Sequence, residues 1–310
     1  MGMEKRDLLS IVDLSKEDIL AIVNLAADMK SDPGSYSASL SGRMGALVFE
    51  KPSLRTRVTF EAAIHGMGGH PVYLSPQDIQ LGKRETVEDV AHNLERWVQV
   101  IIARTFKHDS VVGLARNASV PVINALSDRE HPCQAVADLL TLKERFGEPV
   151  EVKLAYVGDG NNTCVSLLLA VATIGGQISI ATPSGYSPPE PVLEKGRALA
   201  KQSGARIEVM SDPSKAVAGA HAVYTDTWIS MGQESQGEGK AVHFRDYRVD
   251  STLMAKADPQ AVFMHCLPAH RSYEVEAAVI DGPQSIVFDQ AENRLYAQKA
   301  ILHHLMVSSS

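Results

Sequence analysis

The 310-residue sequence has few cysteines and no excess of positive charge, and each shortage excludes a class of protein. Three cysteines with no CxxC spacing are too few for a disulfide framework in a chain this long, so a reducing compartment is expected. Lysine and arginine number 30 against 37 aspartate and glutamate residues, and the net charge of -7 would repel a phosphate backbone. Nucleic acid is therefore not expected as a partner.

Long apolar runs are also missing. No stretch approaches the roughly 18 uninterrupted apolar residues of a membrane span. The opening MGMEKRDLLSIVDL lacks the apolar run of a signal peptide, and Arg6 breaks the myristoylation pattern. We therefore expect a cytoplasmic protein with no membrane partner. A chain of this length, 45% hydrophobic and 22% charged, predicts two domains, each with its own core.

Short apolar, β-branched runs alternate with helical stretches, which is typical of parallel sheets with crossover helices. Ser15 is predicted to cap a first helix, whose apolar residues recur at helical spacing. Further helices are predicted over 132–146 and from about 291 to 306. The predicted strands lie at 45–50, 98–103, 121–126, 153–158, 177–182, 222–227 and 261–266.

This pattern predicts an α/β fold made of two doubly wound parallel-sheet domains linked by interdomain helices. The first domain is expected at residues 1–140 together with the C-terminal helix at about 291–310, and the second at 141–290. The polar, glycine-rich segment at 232–240, GQESQGEGK, is predicted to be a mobile lid.

Polar side chains stand where predicted strands end, which is where open α/β sheets bind ligands. The segment KPSLRTRVTFE at 51–61 joins a strand to a helix, and both the free N–H groups of a helix start and guanidinium groups bind phosphate. A capped helix with surface arginines would explain the same residues. Arg104 ends the next strand, where a buried charge needs either an ion-pair partner or an anionic ligand.

Two further strand ends carry polar side chains. His131 and Gln134 stand at the start of a predicted helix, a position that favours function over a structural histidine. The run VGDGNN at 157–162 predicts a tight turn with an asparagine facing a ligand. It is not a dinucleotide fingerprint, because Thr163 stands where the third glycine is needed. A nicotinamide cofactor is therefore not expected.

Histidines and a cysteine near the end of the chain raise the question of a metal. His265, Cys266 and His270, with His303 and His304, could supply nitrogen and sulfur ligands. Their positions lack the spacing of a zinc site. No metal and no other cofactor is expected.

Six motifs, in order along nearly the whole chain, resemble those of the ornithine carbamoyltransferases. The first three are shared with aspartate carbamoyltransferases, whereas DTWISMG and HCLP point to ornithine. The resemblance implies transfer of the carbamoyl group of carbamoyl phosphate to the side-chain amine of L-ornithine, giving L-citrulline and phosphate, as in arginine biosynthesis. It also implies a homotrimer with sites near subunit interfaces. The motifs are SLRTR at 53–57, Arg104, HPCQ at 131–134, DTWISMG at 226–232, HCLP at 265–268 and AENR at 291–294.

The resemblance also implies roles for single residues. The residues implied to bind carbamoyl phosphate are Ser53, Leu54, Arg55, Thr56, Gln80, Arg104, His131, Gln134, Cys266, Leu267 and Arg294. Those implied to bind L-ornithine are Asn162, Asp226, Ser230 and Met231. The expected catalytic residues are Arg55, Arg104, His131, Gln134, Asp226 and Cys266. Arg57 would brace the phosphate loop, Gln80 would reach a neighbouring subunit's site, and many relatives have Thr at the position of Leu54.

Three alternatives stay open on the sequence. The acceptor could be another amine, namely aspartate, putrescine or an acylated ornithine. The chain could instead be a non-catalytic relative that binds a phosphorylated ligand, and a nicotinamide enzyme is the third reading. The main assignment requires that Arg55, Arg104 and His131 converge around one small ligand.

Overall fold

The computed structural model of the chain describes residues 7–229 and 237–307. The chain divides into two compact units, which we call the first unit (Met1–Leu140 with Glu292–Ser310) and the second unit (Thr141–Ala291). Among the described helices, none is both long enough and apolar enough to cross a lipid bilayer.

The first unit contains a parallel sheet of four described strands in the order β2-β1-β3-β4. Its strands are β1 (Met44–Phe49), β2 (His70–Leu74), β3 (Val100–Arg104) and β4 (Val122–Leu126). Its helices are α1 (Lys16–Ser31), α2 (Leu54–Gly66), α3 (Pro76–Ile79), α4 (Val87–Leu94) and α5 (His108–Asn117), followed by α6 (Pro132–Phe146), within which the second unit begins. A short 3-10 turn covers Ile11–Asp13.

The second unit contains a parallel sheet of five described strands in the order β7-β6-β5-β8-β9. Its strands are β5 (Lys153–Val157), β6 (Gln177–Ala181), β7 (Arg206–Met210), β8 (Ala222–Thr225) and β9 (Val262–His265). Its helices are α7 (Asn162–Ile174), α8 (Glu190–Ser203), α9 (Pro213–Val217), α10 (Gly237–His243), α11 (Ser251–Met254) and α12 (Ala277–Ile280). The last helix, α13 (Val287–Met306), passes from the second unit into the first, and 3-10 turns cover Pro149–Glu151 and Arg245–Tyr247.

The long helices begin and end where local chemistry directs. Ser15 caps α1, because its side chain accepts from the N–H of Asp18 while the Asp18 carboxylate accepts from the N–H of Ser15. Helix α6 covers the predicted range and stops before Gly147, whose φ of 89° suits a glycine. Helix α13 begins at Val287, four residues earlier than predicted.

Helices cover both faces of the first sheet, since successive residues of a strand point to opposite faces. Ala46 and Val48 of β1 belong to a buried cluster with residues of α4 and α5. Gly45 lies on the other face, where a Cβ atom would stand 2.8 Å from the side chain of Ile64 in α2. This arrangement confirms the predicted doubly wound α/β fold.

Two strands were absent from the sequence prediction, and both lie at the edge of a sheet. Strand β2 edges the first sheet and β7 the second, and the residues of both are only partly buried or exposed. An edge strand buries less apolar surface than a central one, so HPVYL at 70–74 and RIEVM at 206–210 carry polar residues and a proline. The apolar runs that predicted the other strands are therefore missing from these two.

The strand order changes direction at one place in each sheet, and such switch points are where α/β sheets bind ligands. In the first sheet β1 lies between β2 and β3, so the loop after β1 and the end of β3 lie side by side. In the second sheet β5 lies between β6 and β8, which joins the loops after β5 and β8 in the same way.

We predict that Gly160→Ala destabilises the protein. A Cβ atom at Gly160 would lie 2.3 Å from the nitrogen of Pro188 and 2.5 Å from the carbonyl carbon of Ser187, both backbone atoms that must shift to make room. Such overpacking lowers the free energy of unfolding by about 1 to 3 kcal/mol, measurable by urea denaturation. Gly239→Ala is the matched control, because nothing lies within 4 Å of its Cβ position. Equal denaturation midpoints for the two variants would contradict this prediction.

Candidate functional site

The loop after β1 turns into α2 and offers backbone N–H groups at the helix start. Ser53 is the N-cap, and its hydroxyl accepts the N–H of Thr56 at 3.2 Å. Leu54 is the first helical residue, with 74% of its surface exposed. Arg55 follows and is half-buried. Because the first N–H groups of a helix have no partner within it, this segment can bind an anion.

Two arginines from distant parts of the chain reach the hydroxyl of Thr56, which is itself buried. Arg104, at the end of β3, donates from Nη1 at 3.5 Å, and Arg294, in α13, donates from Nη2 at 3.3 Å. Both arginine residues are at least 95% buried. A charge taken out of water this far is expensive unless other groups compensate it, so this pair is suited to holding an anionic ligand.

His131 lies among these cations. Burial, and then the charges of Arg294, Arg104, Lys51 and Arg55, lower the pKa of the His131 imidazole well below its usual value. The ring is therefore neutral at pH 7, and it can donate a hydrogen bond from one nitrogen and accept one at the other. The structure thus brings Arg55, Arg104 and His131 into one cluster, as their assignment to one ligand requires. His131 contributes a hydrogen-bonding group to this cluster and not a positive charge.

Lys51 is a member of the cluster that the sequence analysis quoted without giving it a role. Burial, followed by the charge of Arg104, lowers the pKa of its ammonium group to about 8. Its Nζ atom also lies 5.2 Å from the centre of the Phe106 ring. The available signal was its position two residues after the end of β1 and two residues before Ser53.

The remaining residues predicted for the first unit divide into two groups. Gln134 joins the cluster, because its Oε1 atom accepts a hydrogen bond of 2.6 Å from Nη1 of Arg294. Gln80 lies outside it, exposed at the end of α3 with a φ of 40°, and its amide donates to the carbonyl oxygen of Gln77. Arg57 pairs with Glu61 at 3.0 Å and stacks over the Tyr73 ring at 3.7 Å, which holds α2 against β2.

In the second unit, a buried carboxylate is held from three sides. Oδ1 of Asp226 accepts from the Cys266 thiol at 3.0 Å and from the N–H of Thr227 at 2.7 Å. Oδ2 accepts from the Asn161 amide at 2.7 Å. The predicted pair of Asp226 and Cys266 therefore lies in direct contact, with the thiol donating toward the carboxylate.

The sequence alone left open which asparagine of VGDGNN faces a ligand, and the resemblance implied a role for Asn162 and none for Asn161. The side chain of Asn161 caps α7, since Oδ1 accepts from the N–H groups of Thr163 and Cys164, and its Nδ2 donates to Asp226. Asn162 is the first residue of α7, and its Oδ1 also accepts from Thr163. Either asparagine fits a position after a strand, so only the side-chain directions distinguish them.

The HCLP segment after β9 is held by a histidine. The fully buried His265 accepts the N–H of Leu267 at its Nδ1 atom, 2.8 Å away, and its Nε2 atom lies 3.3 Å from a carboxylate oxygen of Glu274. Because the N–H of Leu267 donates to His265, its carbonyl group remains as the backbone group that it can offer a ligand.

Among the residues that the structure describes, one group has metal-ligand chemistry: Asp226, His265 and Cys266, whose ligand atoms lie within 4.8 Å of one another. The contacts just described engage these atoms, since the Cys266 thiol donates to Asp226 and the two nitrogens of His265 face Leu267 and Glu274. A metal would have to displace these contacts. The arrangement is therefore better suited to hydrogen bonding than to coordination.

Part of the second predicted set lies outside the described residues, namely Ser230, Met231 and the first half of the predicted lid at 232–236. The second half of that lid differs from the prediction, because α10 begins at Gly237. Its end is held in place: Phe244, next after the helix, is fully buried, and the Lys240 ammonium group lies 2.6 Å from an oxygen of Asp159.

Comparison with known proteins assigns the chain to a family. Residues 6–144 match the family model of the aspartate/ornithine carbamoyltransferase carbamoyl-P binding domain, and residues 150–305 match that of the Asp/Orn binding domain. The chain is 49% identical over 304 residues to the ornithine carbamoyltransferase of Methanocorpusculum labreanum, covering 97% of this chain and 98% of that relative.

Two further relatives cover the chain almost completely. The catabolic ornithine carbamoyltransferase of Thermoplasma acidophilum is 45% identical over 304 residues, covering 98% of this chain and 99% of the relative. The solved structure of the Pyrococcus furiosus ornithine carbamoyltransferase superposes with a TM-score of 0.94 at 47% identity, covering 99% of both chains. With both family models matched in order along its length, the chain belongs to the aspartate/ornithine carbamoyltransferase family.

Proposed function

We propose that the chain transfers the carbamoyl group of carbamoyl phosphate to the side-chain amine of L-ornithine, giving L-citrulline and phosphate. The observation that carries this proposal is the cationic cluster of the first unit, in which Arg55, Arg104 and Arg294 surround the neutral His131 within an acidic chain. Such a cluster suits a small phosphorylated ligand. The second unit supplies the Asp226 carboxylate and the Cys266 thiol, which we assign to binding the amine substrate and steering its proton.

The groups of the first unit hold the donor. The phosphate is bound by the N–H groups and side chains at the start of α2 and by the arginines, which neutralise its charge as it departs. The N–H groups of the carbamoyl nitrogen donate to the side-chain oxygen of Gln134. The resemblance assigns the backbone of Cys266 and Leu267 to the same nitrogen. The proposed donor-binding residues are Ser53, Leu54, Arg55, Thr56, Gln80, Arg104, His131, Gln134, Cys266, Leu267 and Arg294.

The reaction needs no nucleophile from the protein. The neutral amine attacks the carbonyl carbon, a C–N bond forms, and the carbonyl oxygen gains negative charge in the tetrahedral state. The C–O bond to phosphate then breaks, phosphate leaves with the electron pair, and the proton that the amine nitrogen gives up passes to the departing phosphate. Arg104, Thr56 and His131 provide donors for the charged oxygen, a contribution that grows as the charge develops.

The acceptor site has to produce a neutral amine. An alkyl amine that titrates near pKa ~10.4 costs roughly 4 to 5 kcal/mol to deprotonate at pH 7, so the contact between Asp226 and Cys266 is assigned to steering that proton. The carboxylate of Asp226 also favours ornithine over aspartate, because it attracts an ammonium group and repels the extra carboxylate of aspartate. The proposed ornithine-binding residues are Asn162, Asp226, Ser230 and Met231.

The proposed assembly is a homotrimer with Gln80 reaching a neighbouring subunit's site. Two apolar side chains at the start of α2 support it, since Leu54 and Val58 are 74% and 51% exposed and stand four residues apart on one helix face. Exposed apolar side chains that lie together mark surfaces that bind other proteins. We therefore assign this face to contact with a second copy of the chain.

We further propose that the physiological direction is toward citrulline, in arginine biosynthesis, and that the protein acts in the cytoplasm. Carbamoyl phosphate is a mixed anhydride, so its transfer to an amine is chemically downhill. The three cysteines form no disulfide bond, and Cys266 is partly exposed beside Asp226, where a reducing environment would protect it from oxidation.

We predict citrulline formation from carbamoyl phosphate and L-ornithine, and little or no product with aspartate, putrescine or N-acetylornithine. Arg104→Met should lower turnover on the order of 10²- to 10³-fold, since it removes one donor to the developing charge. Arg116→Ala, at an exposed position of α5, is the control and should leave turnover unchanged. Binding of carbamoyl phosphate without any product would favour the non-catalytic alternative instead.

We predict that anion affinity falls as the pH rises through about 8. Protonated Lys51 attracts an anion, so binding is strongest below its pKa of about 8 and weakens as the ammonium group loses its proton. If the anion raises that pKa by about one unit, the loss is about tenfold. The inhibition constant of sulfate against carbamoyl phosphate measures this from pH 6.5 to 9.5, a range in which sulfate keeps its charge.

Two variants test the assignment of that pH dependence to one side chain. Lys51→Met should bind sulfate more weakly at pH 7 and show no step near pH 8. Lys195→Met, at an exposed position of α8, should keep the wild-type profile. A step near pH 8 that persists in Lys51→Met would show that another group titrates.

We predict a mass in solution of about 100 kDa, three times the 33.5 kDa of one chain. Val58→Asp should lower this mass, because it places a carboxylate on the proposed contact face, whereas Val209→Asp, on the edge strand β7, should not. Sedimentation velocity measures both. A wild-type protein that sediments as one chain would contradict the assembly.

A further inference from the structure

The side-chain amide of Gln134 is held between two charged groups of the first unit. Its Oε1 atom accepts from Nη1 of Arg294 at 2.6 Å, and its Nε2 atom donates to Oδ1 of Asp138 at 2.8 Å. All three side chains are buried, with exposed fractions of 1%, 2% and 0% for Gln134, Arg294 and Asp138. Asp138 follows Gln134 by one turn of α6, so both lie on the same helix face.

These two neighbours determine which way the amide points. A guanidinium group can only donate, so the atom of Gln134 that faces Arg294 must be the carbonyl oxygen. A carboxylate accepts, so the atom that faces Asp138 must be the NH₂ group. A rotation of the amide by 180° would set donor against donor and oxygen against oxygen in a buried site, where mismatched polar groups are expensive.

The orientation leaves one acceptor position free for use by a ligand. A carbonyl oxygen accepts two hydrogen bonds, and Arg294 supplies one to Oε1 of Gln134. The second can come from an N–H group of the ligand. Among small acyl phosphates, an N–H group is what separates the carbamoyl group from an acetyl group, which has a methyl group at the same place.

We propose that Asp138 is a positioning residue that makes the site selective for carbamoyl phosphate over acetyl phosphate. It acts through Gln134, by binding the amide NH₂ so that the carbonyl oxygen points to the carbamoyl nitrogen. The inference rests on the proposed function, since it assigns Gln134 to that nitrogen. The burial of Asp138 supports it, because a carboxylate is rarely fully buried unless specific groups bind it, and the Gln134 amide is one such group.

A purely structural role for Asp138, as a counter-charge in the cationic cluster, makes a different prediction. Loss of a counter-charge would change the binding of every anion alike, including inorganic phosphate. Loss of the amide orientation would change only the binding of the ligand that carries an N–H group. The ratio between two ligands of the same charge therefore separates the two roles.

The test compares Asp138→Asn with the wild type. Asparagine has nearly the same volume, but it can present either NH₂ or oxygen to Gln134, so the amide is free to rotate. We expect kcat/KM for carbamoyl phosphate to fall about 10- to 100-fold, the loss of one well-directed buried hydrogen bond. The inhibition constants of acetyl phosphate and inorganic phosphate should stay within about twofold, a margin close to ordinary scatter. Asp109→Asn, with an exposed carboxylate in the same unit, is the matched control.

A second variant keeps the test decisive if Asp138→Asn folds poorly. Gln134→Met removes the acceptor and should by itself reduce the preference for carbamoyl phosphate over acetyl phosphate about 10- to 100-fold. In the double variant, Asp138→Asn should add no further loss, because Asp138 acts through Gln134. Full additivity of the two changes, or a Gln134→Met variant that keeps the wild-type preference, would overturn the inference.

The control experiment separates this inference from the proposed function. A wild-type protein that forms no citrulline would refute the proposed function itself. A wild type that forms citrulline, together with an Asp138→Asn variant whose ligands all weaken in parallel, would refute only the role of Asp138.

Discussion

The gathering of cationic side chains around one buried imidazole is the constraint on which the first unit depends. Burial and the neighbouring charges lower the pKa values of both His131 and Lys51, so the cluster already suppresses further positive charge without a ligand. An anion reverses this repulsion. The same arrangement that is costly for the empty protein therefore supplies binding energy for a phosphorylated ligand, in a chain whose overall charge is negative.

Hydrogen bonds to neutral groups hold the cluster in shape. The Thr56 hydroxyl accepts hydrogen bonds from both Arg104 and Arg294. The Gln134 amide is oriented by its hydrogen bonds to Arg294 and Asp138. The second unit instead carries a negative charge at its site, the carboxylate of Asp226, which amide, thiol and backbone donors hold in place. Each unit thus carries, at a switch point of its sheet, the charge that complements one of the two proposed substrates.

Sequence reasoning was most successful where a signal is local. The cap at Ser15 and the stop at Gly147 were readable because a few neighbouring residues decide them. The edge strands at 70–74 and 206–210 were missed because strand formation there depends on a neighbour in the sheet and not on an apolar run. The start of α10 at Gly237 was missed because burial of Phe244, in the core, outweighs the loop-like composition before it.

By itself, the sequence determined the fold class, because periodicity is a property of the chain, and its motifs in order carried the resemblance to the family. Only the tertiary structure decided which strands became neighbours, and with them which side chains met. It distinguished Asn161, bonded to Asp226, from Asn162, and added Lys51 and Asp138 to the groups around His131 and Gln134. The physical reason is that pKa shifts and amide orientations arise from groups close in space but distant along the chain, as Arg294 is from Thr56.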